Sequence, residues 1–148
     1  MDIIWAILII VFGLIGWGGQ VLSTLTPKFA AKLGLIEPEA DTDPAFYADA
    51  RGEAKWDSIT LWTLPLAGIF IILNSPLWIY FGMVGGSMYL YFAGRAILTR
   101  VELKRRGVRI GKPELLKMYS VFAALWGLIG LATVIKAVKA VKALSVLS

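Results

Sequence analysis

The chain has 148 residues, of which 58% are hydrophobic and 17% are charged, with a net charge of +5. A soluble domain is typically about 45–50% apolar, so this chain carries more apolar side chain than one small core can bury. It contains neither Cys nor His, which excludes a disulfide scaffold, a Cys nucleophile and a His-based triad. The usual ligands of zinc, haem and iron–sulfur sites are also missing. We therefore predict an all-α integral membrane protein with no metal, no cofactor and no recognisable catalytic residue.

The first apolar segment covers about residues 3–25 and contains no charged side chain. Roughly twenty apolar residues are enough to cross a bilayer core of about 30 Å. A signal peptide is the competing interpretation, but its leading region should be basic and holds only Asp2 here. The segment is also longer than the apolar region of a signal peptide. We interpret it as a first transmembrane span.

Two further spans are predicted at about residues 58–73 and 77–98. Between them lies the short turn sequence Asn74-Ser75-Pro76, which makes the two spans an antiparallel hairpin. Pro65 falls inside the second span and should kink its helix, because proline removes one helical hydrogen bond. The kink is expected to be structural, with a gating hinge as the alternative.

The fourth span is predicted at about residues 116–136, in a helix that begins at Pro113. Proline at a first helical position followed by Glu114 is typical of a helix start. The helical pattern continues to the end of the chain, where Lys136, Lys139 and Lys142 recur every three residues. These lysines are expected to lie at the lipid headgroups.

The spans predict one four-helix membrane domain over residues 1–148, with polar loops at about residues 26–57 and 99–115. In the first loop, Thr26-Pro27 indicates a short interfacial helix and Asp43-Pro44 indicates a second helix that runs towards the second span. Gly107 is the expected end of the third helix. The fold class is thus a four-helix transmembrane bundle with a short helical loop.

Charge indicates how the bundle is oriented. With four spans, both loops lie on one side of the membrane and both termini on the other. The loop side carries 12 of the 15 Lys and Arg residues, and such basic segments stay in the cytoplasm. We predict a multi-pass protein of the plasma (inner) membrane with both termini outside.

A dense basic stretch follows the third span. Because it lies beside a membrane exit and no nucleic-acid module surrounds it, anionic lipid headgroups are the expected partner and nucleic acid is not. The simplest alternative is an anchor that only fixes topology. The basic patch consists of Arg100, Lys104, Arg105, Arg106, Arg109 and Lys112.

Small residues predict where the helices pack. Gly82 and Gly86 on the third span, and Ala123 and Gly127 on the fourth, match the small-x-x-x-small pattern, which lets two helices approach closely. We predict that these four residues lie at helix–helix contacts.

Polar side chains are sparse inside the spans, and ionisable groups near their centres would mark transport pathways. Arg95 comes closest and is expected near the cytoplasmic interface, where Gln20, Thr60 and Thr63 could join it in a polar cluster. The alternative for each is a bond to its own helix backbone, and for Arg95 a charge directed to the headgroups.

An acidic stripe in the first loop complements the basic stretch. Asp49, Glu53 and Asp57 recur at four-residue spacing and would share one helical face. A metal site is conceivable there, but pairing with the basic end of the third helix is the favoured prediction, since the loops carry net charges of −3 and +6 on one membrane side.

These features favour a non-enzymatic membrane subunit or scaffold, which associates with itself as a homo-oligomer or with a larger membrane complex and contacts lipid. The basis is negative, because redox ligands and a catalytic His or Cys are missing and we expect no buried charges. The first alternative is a homo-oligomeric channel or transporter for a small solute. The second is an interfacial enzyme for a lipophilic substrate, with Arg95 holding an anionic group.

Overall fold

A computed structural model describes residues 3–147 and shows an all-α chain over that range. Six helices follow one another, apart from a single turn of 3-10 helix at Glu39–Asp41. Met1, Asp2 and Ser148 of the predicted domain lie outside the described residues. The helices are α1 (Ile3–Leu25), α2 (Pro27–Lys32), α3 (Pro44–Thr60), α4 (Thr63–Ile72), α5 (Trp78–Arg105) and α6 (Pro113–Leu147).

The two predicted loops lie at the same end of the bundle and are bonded to each other. The backbone N–H of Asp43 donates to the carbonyl of Arg109 at 2.6 Å, and the Arg109 guanidinium donates back to the carbonyl of Thr42 at 2.9 Å. Lys112 Nζ lies 3.6 Å from a carboxylate oxygen of Asp41. These contacts form the loop junction, defined as residues 37–43 with residues 109–112.

The helix boundaries follow local signals in the sequence. Asp43 caps α3, its carboxylate accepting from the backbone N–H groups of Ala45 and Phe46, as Asp43-Pro44 predicts. Gly107 ends α5 with φ +72°, a conformation that costs glycine little. Thr26 precedes α2 but caps nothing, because its hydroxyl donates back to the carbonyl of Leu22 in α1.

The second predicted span begins with a break between two helices. Helix α3 ends at Thr60 and α4 restarts at Thr63, so Pro65 lies in the first turn of α4 rather than in the middle of a kinked helix. The physical reason is that the proline ring excludes the carbonyl four residues earlier from the helical ladder, and that residue is Leu61. The break therefore precedes Pro65. The Pro65 ring packs so closely on Gly13 of α1 that a Cβ on Gly13 would have no room.

Glycines set the spacing between α5 and α6, which pack together more extensively than any other two helices. A Cβ on Gly86 would lie 2.7 Å from the carbonyl oxygen of Gly130, and one on Gly82 would lie 3.3 Å from Thr133. A Cβ on Gly127 would lie 2.9 Å from the Ala93 side chain. All four residues that were predicted at helix contacts lie on α5 or α6: Gly82, Gly86, Ala123 and Gly127. Ala123 is only 4% exposed.

The interior of the bundle is organised around one tyrosine. Tyr89 of α5 is fully buried, and its hydroxyl donates to the carbonyl of Gly13 in α1 at 2.6 Å. Trp126 of α6 donates its indole N–H to the carbonyl of Phe12 at 2.9 Å. These two bonds tie α5 and α6 to α1.

The outer surface is apolar along most of the bundle, with large hydrophobic side chains exposed on α1, α4, α5 and α6. Two helices, Ile3–Leu25 and the part of α6 over Pro113–Ser145, are long and apolar enough to cross a membrane. The ten residues of α4 would extend only about 15 Å by themselves.

Candidate functional site

A cavity of about 250 Å³ lies between α1, α5 and α6 near the loop end of the bundle. Helices α1 and α6 make few contacts with each other, so the cavity opens sideways between them. Its rim is apolar and exposed, with side chains of Ile15, Met118 and Phe122. Residues 33–37 and α3 cover it at the loop end.

The deep wall of the cavity is apolar and is shaped by glycine. Phe92, Ala96 and Trp126 form this wall, with the rings of Phe92 and Trp126 edge to face at 5.9 Å. Gly19 lies on the α1 side, where a Cβ would meet nothing within 4 Å. The space beside Gly19 is therefore part of the opening.

The loop end of the cavity is polar and is built on a buried ion pair. Two guanidinium nitrogens of Arg100 donate to the Glu37 carboxylate at 3.1–3.4 Å, and the third donates to the carbonyl of Ala96 at 3.2 Å. Glu37 is 3% exposed, and its side chain packs on Gly111. The pair therefore connects the first loop, α5 and the second loop.

Aromatic rings complete the surroundings of Arg100. The rings of Phe46 and Tyr119 each lie 5.5 Å from its guanidinium carbon, in the range of cation–π contacts. The Tyr119 hydroxyl is buried and has no hydrogen-bond partner within residues 3–147. Tyr119 also lines the cavity, as does Gln20, so uncharged polar residues lie beside the Arg100–Glu37 ion pair.

Arg95 lies on the neighbouring face of α5 and binds the acidic stripe. One of its nitrogens lies 2.9 Å from Asp49 and another lies 2.6 Å from Glu53. Two acids of the stripe therefore pair with α5, but their partner is Arg95 and not the basic end of the helix, with which the pairing was predicted. The hydroxyls of Thr60 and Thr63 donate to the backbone carbonyls of Trp56 and Thr60. The hydrogen bonds of Arg95 therefore go to α3, while Gln20 lies at the cavity.

Asp57, the third acid of the stripe, is 6% exposed, and one of its carboxylate oxygens is buried without a partner among the described residues. Burial raises the pKa of Asp57 from 3.8 to about 7. The Glu53 carboxylate raises the pKa further, whereas the Arg95 guanidinium lowers it. Asp57 is thus held in a setting that favours its protonated form.

We expect Asp57 to make stability depend on pH. Because its pKa is higher in the folded than in the unfolded chain, no penalty exists below pH 3.8, and the penalty grows up to a pH of about 7. The stability advantage of Asp57→Asn over the wild type should therefore be larger at pH 8 than at pH 4.5, by about 3 kcal/mol, and should appear as a larger difference in unfolding temperature. Thermal unfolding in mild detergent across this range measures the effect. Parallel profiles for Asp57→Asn and wild type would contradict it, and Glu39→Gln, an exposed acid in the same loop, is the matched control.

The basic stretch divides into residues that bind the first loop and residues that do not. Arg100 is bonded to Glu37, Arg109 to Thr42 and Lys112 to Asp41, so half of the predicted patch contacts the first loop. The other three residues, Lys104, Arg105 and Arg106, are exposed. Both arginines lie within 4 Å of Glu102.

Neither Glu37 nor Tyr119 is among the site residues that the sequence predicts. A usable signal for Glu37 was an acid placed between apolar Ile36 and Pro38, although such an acid is more often exposed. Comparisons of the chain with protein-family models, with curated proteins and with solved structures give no match.

Proposed function

We propose that this chain is a small non-enzymatic multi-pass membrane protein that holds a lipophilic molecule in the lateral cavity. The cavity carries the proposal, since it joins an apolar, sideways opening to a polar end beside the loops. Binding sites of this kind, with few polar groups at one end, fix the orientation of a ligand. The chain would act as a subunit or scaffold that keeps this molecule at the headgroup level.

Four transmembrane segments fit this proposal better than two. Large apolar side chains are exposed on α4 and α5 as well as on the two helices that are long and apolar enough to span. Helices with apolar outer surfaces need a lipid environment. Helix α5, with 28 residues, would extend about 42 Å. The short helix α4 and the last part of α3 would together form one transmembrane segment. A larger membrane complex or a second copy of the chain would cover part of this surface.

An interfacial enzyme with Arg95 as an anion clamp has less support. Arg95 already binds Asp49 and Glu53, so an anionic substrate would have to displace carboxylates. The channel alternative also has less support, because Tyr89 and the close contacts of Gly86 fill the centre of the bundle.

Occupation of the cavity is tested by filling it. Gly19→Leu places a side chain in the opening, and Gly18→Leu is the matched control, because Gly18 also has open space around a Cβ but does not line the cavity. We expect lipid extracted from purified Gly19→Leu to lose at least one species that wild type and Gly18→Leu retain at about one copy per chain. Mass spectrometry of protein purified in mild detergent measures this. Identical lipid content in all three proteins would contradict the proposal.

Orientation is tested by a reporter fused after Ser148. Because 12 of the 15 basic residues belong to the loop side, the fused C-terminus should lie outside. An extracytoplasmic reporter is expected to be active in this fusion, and a cytoplasmic reporter inactive. The matched control inserts the same reporters after Gly107, in the second loop between α5 and α6. There the cytoplasmic reporter should be active and the extracytoplasmic reporter inactive. Cytoplasmic activity after Ser148 would overturn the assignment.

A further inference from the structure

The charged groups inside the cavity are already paired. Two guanidinium nitrogens of Arg100 donate to the Glu37 carboxylate, and the third donates to the carbonyl of Ala96. Glu53, the other charged residue of the lining, lies 2.6 Å from a guanidinium nitrogen of Arg95. A charged head group that entered the cavity would have to break one of these pairs and leave a poorly solvated charge without a partner, which is costly.

The volume of the cavity also favours an apolar chain over a whole lipid. At about 250 Å³, it is below the range of about 300–1,000 Å³ for sites that enclose an entire small molecule. Its deep wall of Phe92, Ala96 and Trp126 is apolar, and the opening faces sideways between α1 and α6. The cavity therefore has room for part of one acyl chain, and the head group of the same molecule would remain outside.

The edge of the opening at the loop end is formed by the segment that follows α2 and by the start of α6. Leu33 and Met118 line the cavity from these two sides, and both are exposed. The two sides touch, since a Cβ on Gly34 would lie 3.6 Å from the Leu115 side chain and 3.8 Å from the Met118 side chain. Residues next to Leu33 and Met118 therefore lie beside the same part of the opening.

Lysines occupy these neighbouring positions. Lys32 directly precedes Leu33, Lys117 directly precedes Met118, and both lysines are exposed. Within residues 3–147, no carboxylate oxygen lies within 4 Å of either ammonium group. Glu114, one helical turn before Lys117 and also exposed, offsets part of this charge. The edge of the opening thus keeps a net positive charge that no ion pair compensates.

Helix α2 places this charge at the level of the lipid headgroups. Phe29 and Leu33 are 50% and 54% exposed, and Lys28 and Lys32 are exposed beside them. A segment with this pattern lies along the membrane interface, with its apolar side chains among the acyl chains and its lysines among the headgroups. A lysine ammonium at that level binds phosphate as a point charge.

We propose that the ligand of the cavity is an anionic phospholipid, with one acyl chain in the cavity and its head group outside, between Lys32 and Lys117. This inference rests on the proposed function and names its ligand class. The apolar wall accepts the chain of any phospholipid. The lysines select for a net negative head group, because a zwitterionic head carries a cationic group that they repel. The site is distinct from the basic patch predicted after the third span, half of which binds the first loop.

The test compares dioleoyl phosphatidylglycerol with dioleoyl phosphatidylcholine, which share their acyl chains and differ in the net charge of the head group. Native mass spectrometry of the full chain in mild detergent measures the affinity for each lipid. We expect wild type to bind phosphatidylglycerol about fivefold more tightly or better, and this preference should shrink as ionic strength rises. Lys32→Gln/Lys117→Gln should reduce the preference to below about twofold without weakening phosphatidylcholine.

Lys55→Gln/Lys104→Gln is the matched control, because it removes the same charge from the loop side of the protein. Both lysines are exposed, and neither is adjacent in sequence to a residue that lines the cavity. This variant should keep the preference of wild type for phosphatidylglycerol. Thermal unfolding of the two double variants shows that both are folded.

The outcomes separate this inference from the proposed function. If both lipids bind wild type equally and Gly19→Leu blocks them, the cavity is a lipid site and the inference about the head group is overturned. The same holds if Lys32→Gln/Lys117→Gln keeps the preference, or if the control variant loses it to the same extent. If both lipids bind Gly19→Leu as they bind wild type, the cavity is not their site, and the proposed function fails as well.

Discussion

Glu37→Gln is expected to destabilise the protein by about 2–4 kcal/mol, because it breaks an ion pair in which the Glu37 side chain is only 3% exposed. The substitution keeps the shape of the side chain and removes its charge. Arg100, whose side chain is 17% exposed, would keep its positive charge without a counterion. Breaking a buried ion pair from one side costs more than the pair itself contributes, because the remaining charge is poorly solvated. The loss is measured as a lower midpoint of thermal or denaturant unfolding in detergent.

Two variants show whether the charge is the cause. Glu39→Gln removes an exposed acid two residues away and should change stability by less than about 0.5 kcal/mol. The double variant Glu37→Gln/Arg100→Gln removes both charges and should recover at least half of the loss, since no uncompensated charge is left. A double variant that is as unstable as the sum of its single variants would show that the two residues act independently, against the assigned pair.

Gly86→Leu is expected to cost about 3 kcal/mol by forcing α5 away from α6. A Cβ at this position would already lie 2.7 Å from the Gly130 carbonyl oxygen and 2.9 Å from the Val134 side chain. The first of these neighbours is backbone, so it cannot move aside by a change of rotamer. The whole helix must shift, which loosens the most extensive helix contact of the fold.

Gly94→Leu on the same helix is the matched control. A Cβ on Gly94 would meet nothing within 4 Å, and leucine has the higher helix propensity, so this variant should be as stable as wild type or slightly more stable. Thermal unfolding of both variants in the same detergent measures the difference. Equal stability of Gly86→Leu and Gly94→Leu would refute a close contact at Gly86.

The sequence by itself determined the helical class, most helix ends and the meeting of the two loops at one end of the bundle. These depend on local chemistry: an aspartate that caps α3, a glycine with positive φ after α5, and apolar segments too long for a small soluble core. The position of the acidic stripe beside α5 also follows from the sequence, because Asp49 and Glu53 share one helical face, but their partner is Arg95 instead of the predicted basic end of the helix.

Only the tertiary structure decided which polar groups enclose the cavity. Glu37 and Arg100 are 63 residues apart, and the apolar neighbours of Glu37 do not by themselves show that its carboxylate is buried against Arg100. Their burial depends on how the first loop crosses α5 and on Gly111, whose missing side chain makes room for Glu37. The contact of the Pro65 ring with Gly13 of another helix is likewise decided by the tertiary structure. Burial is a property of the packed chain, and therefore the ion pair, the unpartnered Tyr119 hydroxyl and the raised pKa of Asp57 could not be read from residue type and spacing.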